Sequence, residues 1–156
     1  DQAGASGIWN DMNEPAVFDV TSKTMPESNR HDADPELGGP GPHLRYHNTY
    51  GMLMARASFE GLTASRPNKR PFVLSRANIL GGQRYAAAWT GDNRANETHV
   101  RMALPMVLNL GLSGQPFSGP DIGGFAEALT GEEYAQIAEA GFALLDEEPA
   151  ETGDPA

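Results

Sequence analysis

Gly7-Ile8-Trp9-Asn10-Asp11-Met12-Asn13-Glu14 is the stretch whose reading decides the fold. Gly7, Ile8 and Trp9 are compact, apolar and bounded by polar residues, which predicts the end of a short buried strand. Asp11 and Glu14 follow at once, and Pro15 closes the run. A carboxylate just beyond a strand's C-terminal end is where a parallel α/β enzyme carries its chemistry. Taken alone, a loop acid beside an aromatic reads as solvated; the rest of the chain alters that reading.

Working outward, residues 19–46 are dominated by Asp, Ser, Pro, Gly and His and include Gly38-Gly39-Pro40-Gly41-Pro42. So long a loop beside a candidate site predicts a rim or lid, with a surface insertion as the alternative. Residues 48–64 carry helical spacing, with Tyr50, Leu53, Met54, Ala57 and Leu62 expected inward. Residues 71–76 form the clearest strand, and a Gly81-Gly82 turn leads to a second buried strand at 84–89. A helix over 95–110 places Val100, Ala103, Leu104, Val107 and Leu108 on one face, and Pro105 should kink or split it. A short strand near 115–118 ends at Gly119-Pro120-Asp121. A last helix is expected over 131–145, with Thr130 as cap and Glu132 and Glu133 in its first turn. Residues 146–156 read as an acidic disordered tail, apart from a single domain over 1–145. The alternation of elements implies a mostly parallel sheet wrapped by helices.

Composition removes several function classes. The formal charge is -10 over 156 residues. Basic and acidic residues balance up to Arg101, and none of the Lys or Arg lies beyond it. A nucleic-acid binder needs a basic face, so no nucleic-acid partner is expected. The sequence shows no apolar run long enough to span a bilayer, and no membrane partner is expected. Cysteine is absent, which removes a disulfide framework, thiolate metal sites and a Cys nucleophile. His43 and His47 have metal-like i, i+4 spacing but sit at a loop-to-helix join with no clear third ligand, so no metal is expected. Asn96-Glu97-Thr98 matches a glycosylation sequon, yet Asn96 or Asn93 reads better as a helix cap. The chain opens almost directly onto its key motif without a starting Met, so it is expected to be cut from something longer.

A second constellation, Trp89-Thr90-Gly91-Asp92-Asn93, repeats the pattern of a strand end, a tryptophan and then a carboxylate. Glycoside hydrolysis uses such a pair of acids, one at the anomeric carbon and one protonating the leaving oxygen. Tryptophan offers a flat apolar face to a sugar ring and lowers the local dielectric, which favours a protonated neighbour. On the residues alone, two unrelated loop aspartates remain the alternative.

The octapeptide resembles the nucleophile signature of glycoside hydrolase family 31, the α-glucosidase and α-xylosidase family. Arg76 to Asn93 is similar to that family's acid/base block, and Gly119-Pro120-Asp121-Ile122-Gly123-Gly124-Phe125 to its Gly-x-Asp-x-Gly-Gly-Phe motif. His47 to Gly51 and Pro105 to Gly111 are also family-like, so the resemblance runs from about residue 7 to 125. It implies a partial (β/α)8 TIM barrel, roughly strands 4 to 7 with their helices. It further implies retaining hydrolysis of an α-glucoside or oligosaccharide, with no cofactor. By the same resemblance Asp11 is the nucleophile, Asp92 the general acid and base, and Glu14 orients Asp11 or the loop behind it. Trp9 and Met12 would line the sugar pocket, with Trp89 in the subsite and Arg76 binding sugar or the nucleophile's carboxylate. Asp121 would hold an arginine or sugar contact at the pocket base, and Phe125 would wall it.

The sequence departs from the family in places. A complete barrel takes about 250 residues. The family's earlier strands and its late Arg-x-His are missing, and Glu97 stands where an aromatic is usual. Residues 1–156 alone are therefore expected to be inactive and poorly folded. A sugar-binding remnant of the fold, or α-xylosidase or transglycosylase specificity, are the alternatives to an α-glucosidase.

Overall fold

The computed structural model describes residues 5–126 together with residues 130, 132, 135, 136 and 139. In chain order the elements are β1 (Ile8–Asn10), β2 (Arg30–His31), β3 (Gly41–Pro42), α1 (His43–Ser65), β4 (Val73–Ser75), β5 (Ala87–Trp89), α2 (Glu97–Leu112) and β6 (Ser118–Gly119). The expected 131–145 helix and the 146–156 tail lie largely outside the described residues; Glu132, Ala135, Gln136 and Glu139 are helical.

Strands β1, β4, β5 and β6 form one sheet in that order, and every pairing is parallel. Strands consecutive along this path lie side by side, the progression that builds a (β/α)8 wall. The described residues form an open arc of that wall rather than a closed barrel. Within the 19–46 loop, β2 and β3 pair antiparallel, and a 3-10 turn spans Pro35–Leu37.

Helix α1 begins at His43, five residues before the expected start. The loop supplies the reason: Asn29 O accepts the His43 N–H at 2.6 Å and Glu27 O accepts the Leu44 N–H at 3.1 Å. These carbonyls satisfy donors that a helix's first turn otherwise leaves open. The inward face is also corrected. His43, Tyr46, Gly51, Ala55 and Leu62 are buried, whereas Met54 and Ala57 are exposed. Small residues take the contact positions because the helix leans closely on the loops beyond β1 and β4. A Cβ built on Gly51 would lie 2.5 Å from Ala77 Cβ and 3.0 Å from Asn13 O. Ala55, Leu62, Val73 and Ala86 form the apolar core, with Phe59 and Tyr85 packed against it.

The first strand is not buried as expected: Trp9 is 57% exposed, since β1 lies at the edge of the arc. β4 and β5 are shorter than the expected strands, and Gly82–Arg84 forms a 3-10 turn before β5. α2 runs through Pro105 without splitting. A proline removes one backbone bond, and here that loss does not end the helix. α2 fully buries none of its residues: Val100, Ala103, Leu104 and Val107 of the expected face are half-buried, and Leu108 is exposed. Asn96 caps α2, its Oδ1 accepting the His99 N–H at 2.9 Å.

Candidate active site

Parallel pairing sets which side chains share a face. The register places Asn10 beside Ser75 and Ser75 beside Ala88. One step further along each strand, Asp11, Arg76 and Trp89 fall on one row. Side chains alternate faces along a strand, so this row faces away from Asn10 and Ser75. Asn10 turns to α1, where its Oδ1 accepts the Ser58 hydroxyl at 3.1 Å. The row of Asp11, Arg76 and Trp89 therefore lies at the C-terminal ends of the strands, on the face turned from α1.

Arg76 is the hub of that row. Its Nε and Nη2 donate to the two Glu14 carboxylate oxygens at 2.8 and 3.0 Å. Its Nη1 lies 3.3 Å from Asp11 Oδ1. The guanidinium also sits 5.9 Å from the Trp89 ring centroid. The hydrogen bonds that Arg76 donates to Glu14 raise its pKa against the opposing effect of burial, with further contributions from the charges of Glu14, Asp11 and Asp92. Asp92 is thus within electrostatic reach of the guanidinium that touches Asp11. Gly91, just before Asp92, takes a left-handed φ of +89°, and its Cβ position lies 3.9 Å from Arg76 Cδ. In return the Arg76 hydrogen bond holds the Glu14 carboxyl below the usual range, against the opposing effect of burial.

The turn between Asp11 and Glu14 is what aims these groups. Met12 has φ at 52°, a left-handed conformation costly for a side-chain-bearing residue. Its N–H donates to Asp11 Oδ1 at 2.8 Å, and its side chain is partly exposed. Asn13, which the sequence reading did not single out, anchors the turn and is 1% exposed. Its Nδ2 donates to Ser75 Oγ at 2.9 Å, and its Oδ1 accepts the Ala77 N–H at 3.0 Å. Those bonds tie the Gly7–Glu14 stretch to the Arg76 segment on both sides of Arg76. The signal for Asn13 was its place inside the octapeptide, between two acids that drew attention away from it.

The third motif docks on the second. Trp89, 6% exposed, packs edge-on to Trp9 at 5.2 Å between centroids. Its indole N–H donates to Asp121 Oδ1 at 2.9 Å, while Asp121 Oδ2 is buried without a partner. Asn93 Nδ2 donates to Asp121 O at 3.1 Å, and Phe125 N–H to Asn93 O at 2.9 Å. Gly124 makes this docking possible: at φ +83° its Cβ would fall 2.4 Å from Ala95 N. The Phe125 side chain is largely exposed. Asp11, Glu14, Arg76, Trp9, Trp89 and Asp121 are thus brought together, with Met12 at the turn and Phe125 at the margin, while Asp92 is linked to them only through its charge on Arg76. Such a group holds clustered carboxylates about one cation, beside two indoles. It can bind a polyhydroxylated ring and keep a carboxylate ionised next to a second acid.

The family model described as the glycosyl hydrolases family 31 TIM-barrel domain matches residues 1–144, and the chain belongs to that family. It is 54% identical over 129 residues to alpha-glucosidase 2 of Bacillus thermoamyloliquefaciens, covering 83% of this chain and 16% of that protein. It is 43% identical over 136 residues to the glucosidase 2 subunit alpha of Saccharomyces cerevisiae, covering 86% of this chain and 14% of that protein. The solved family 31 alpha-glucosidase from Bacteroides thetaiotaomicron superposes with a TM-score of 0.72 at 49% identity, over 89% of this chain and 21% of that one. The chain therefore spans about a sixth of the length of the first of these relatives.

Proposed function

We propose that these residues form the catalytic core of a retaining α-glucosidase acting on terminal α-linked glucose of oligosaccharides. The observation that carries the reading is the grip of one guanidinium, Arg76, on Glu14 and Asp11 at the strand ends, with the charge of Asp92 also raising the Arg76 pKa. Asp11 attacks the anomeric carbon as the glycosidic C–O bond breaks, and Asp92 gives its proton to the departing oxygen. Asp92 then takes a proton from water as that water attacks the same carbon and releases Asp11. Retention of configuration follows from the two displacements. Arg76 and Glu14 hold Asp11 ionised and aimed. Trp9, Trp89 and Met12 offer an apolar wall to the ring, with Asp121 and Phe125 bordering it. The names of the relatives, alpha-glucosidases of bacterial and yeast origin, support the substrate class.

The test is mechanism-based trapping of the full natural chain that carries these residues, using 5-fluoro-α-glucosyl fluoride. Peptide mass spectrometry is expected to find the label on Asp11. Absence of label on any carboxylate would favour a sugar-binding remnant, and a faster reaction with the xylosyl analogue would favour an α-xylosidase. Residues 1–156 alone leave the flank of β1 open, and Leu80, Leu112, Phe117 and Ile122 are strongly exposed. We expect no turnover of p-nitrophenyl α-glucoside and no sharp melt from that piece by itself.

A further inference from the structure

Three histidines outside the row of Arg76 are linked in series. His31 Nε2 lies 2.9 Å from His43 Nδ1, and His43 Nε2 lies 3.0 Å from His47 Nδ1. His31 comes from β2 in the long loop, while His43 and His47 occupy the first two turns of α1. The middle ring is 1% exposed, so it has no water to replace a lost partner. One turn on, Gly51 O accepts from Asn13 Nδ2 at 3.4 Å, and the Gly51 backbone presses on Ala77. The series thus runs from the loop, along α1, to the segment that carries Glu14.

We propose that His31, His43 and His47 are positioning residues: a clasp, limited in the protons it can hold, that seats the 19–46 loop on α1 and steadies the Asn13–Glu14 turn. Its effect on turnover rests on the glycosidase reading; the clasp itself does not. The proton limit follows from counting. Three neutral rings carry three N–H hydrogens, one per ring. Each ring-to-ring bond uses one hydrogen, and the two outer nitrogens hold one each. Four hydrogens therefore fill the clasp with both bonds intact, one more than the neutral set. A fifth hydrogen sets two N–H groups face to face and breaks a bond.

The surroundings favour few protons at the centre. Burial lowers the His43 pKa first, and the charges of His31 and His47 lower it further. Tyr46 and Tyr50 of α1 pack edge-on to His31. Asp32 and Asp34 share with His31 and Tyr50 the lining of a 410 Å³ cavity. On the α1 side, Arg45 sits over Tyr46, 5.8 Å from its ring. Beyond His47 lies Glu14, whose carboxyl is held down by Arg76 first and by His47 among lesser causes. A group whose folded pKa lies below its unfolded value contributes stability at higher pH, and that contribution is lost as pH falls through the folded value. Acidification through the histidine range therefore opens the clasp.

Hydrogen exchange on the full natural chain tests this, corrected for the intrinsic pH dependence of amide exchange. The probes are the His43 and Leu44 amides, which bond to the loop carbonyls of Asn29 and Glu27. Their protection is expected to fall by about tenfold or more between pH 7 and pH 5. In the double variant His31→Gln, His47→Asn the neighbours of His43 become amides that can present donor or acceptor. Protection in that variant is expected to fall clearly less than in the unmodified chain, since burial of His43 remains but the ring-to-ring bonds do not, and the acid limb of kcat/KM is expected to move to lower pH. Unchanged protection in the unmodified chain, or an equal fall in both proteins, overturns the clasp. Should the double variant not fold, the unmodified chain decides alone by whether protection falls. A chain with no glycosidase activity but the expected exchange behaviour would sink the reading of the site and leave the clasp standing.

Discussion

Arg76 grips Glu14 through two parallel N–H···O bonds, at 2.8 and 3.0 Å, while a third nitrogen reaches 3.3 Å to Asp11. A planar fork can do this because its donors have fixed directions. The consequence is that the orientation of Asp11 depends on a residue that is not itself expected to react.

Replacing Arg76 with Lys tests that dependence. The ammonium keeps the charge but not the fork, so it cannot hold Glu14 on two oxygens and still face Asp11. The expected result in the full natural chain is a fall in kcat/KM of about 10²–10³-fold, mostly in kcat. Steady-state kinetics on a p-nitrophenyl α-glucoside give the value, and a loss confined to KM would contradict it.

Glu14 supplies a pH prediction. Its folded pKa is depressed, so its ion pair adds stability above the ordinary carboxylate range and loses it as pH falls through the folded value. Because the pair is partly exposed, its worth is about 1–2 kcal/mol after solvent screening. Chemical denaturation of the full natural chain between pH 7 and pH 3 is expected to show that loss. Glu14→Gln should be less stable at pH 7 and should lack that part of the acid dependence.

Two glycines on α1 make a matched pair. At Gly51 a methyl would overlap Ala77 Cβ at 2.5 Å, whereas at Gly61 nothing lies within 4 Å. Gly51→Ala is expected to destabilise by about 1–3 kcal/mol through overpacking. Gly61→Ala should stabilise by about 0.5–1 kcal/mol from helix propensity. Denaturant midpoints of the two variants, made in the full natural chain, should move in opposite directions.

Trp89→Phe would remove the indole N–H that Asp121 Oδ1 accepts, and Asp121 Oδ2 is already unpartnered. A buried carboxylate left without that donor should cost about 1–3 kcal/mol. Asp121→Asn keeps the Oδ1 acceptor and removes the charge, so its stability loss should be clearly smaller. Thermal melts of both variants in the full natural chain compare the two, and equal losses would refute the account.

What could be read from the sequence was the local chemistry that repeats at strand ends. Trp9 then Asp11, and Trp89 then Asp92, each place an aromatic before an acid, and the parallel order of strands follows from their alternation with helices. The long loop was visible because composition leaves a direct mark, whereas Arg76 entered the sequence reading through the family resemblance. The inward face of α1 was misread because hydrophobicity favoured Met54 and Ala57. Closeness of approach instead selected Gly51 and Ala55, a property of the partner surface rather than of the helix.

The amino-acid order by itself determined that this is a parallel α/β chain with acids at its strand ends, since those features depend on neighbours a few residues apart. Only the tertiary structure decided that Arg76 grips Glu14, that Asn13 anchors the turn between the acids, and that three histidines join in series. Each of those contacts spans residues distant along the chain or on separate elements. Its existence depends on the register and packing of whole elements, which no local pattern specifies.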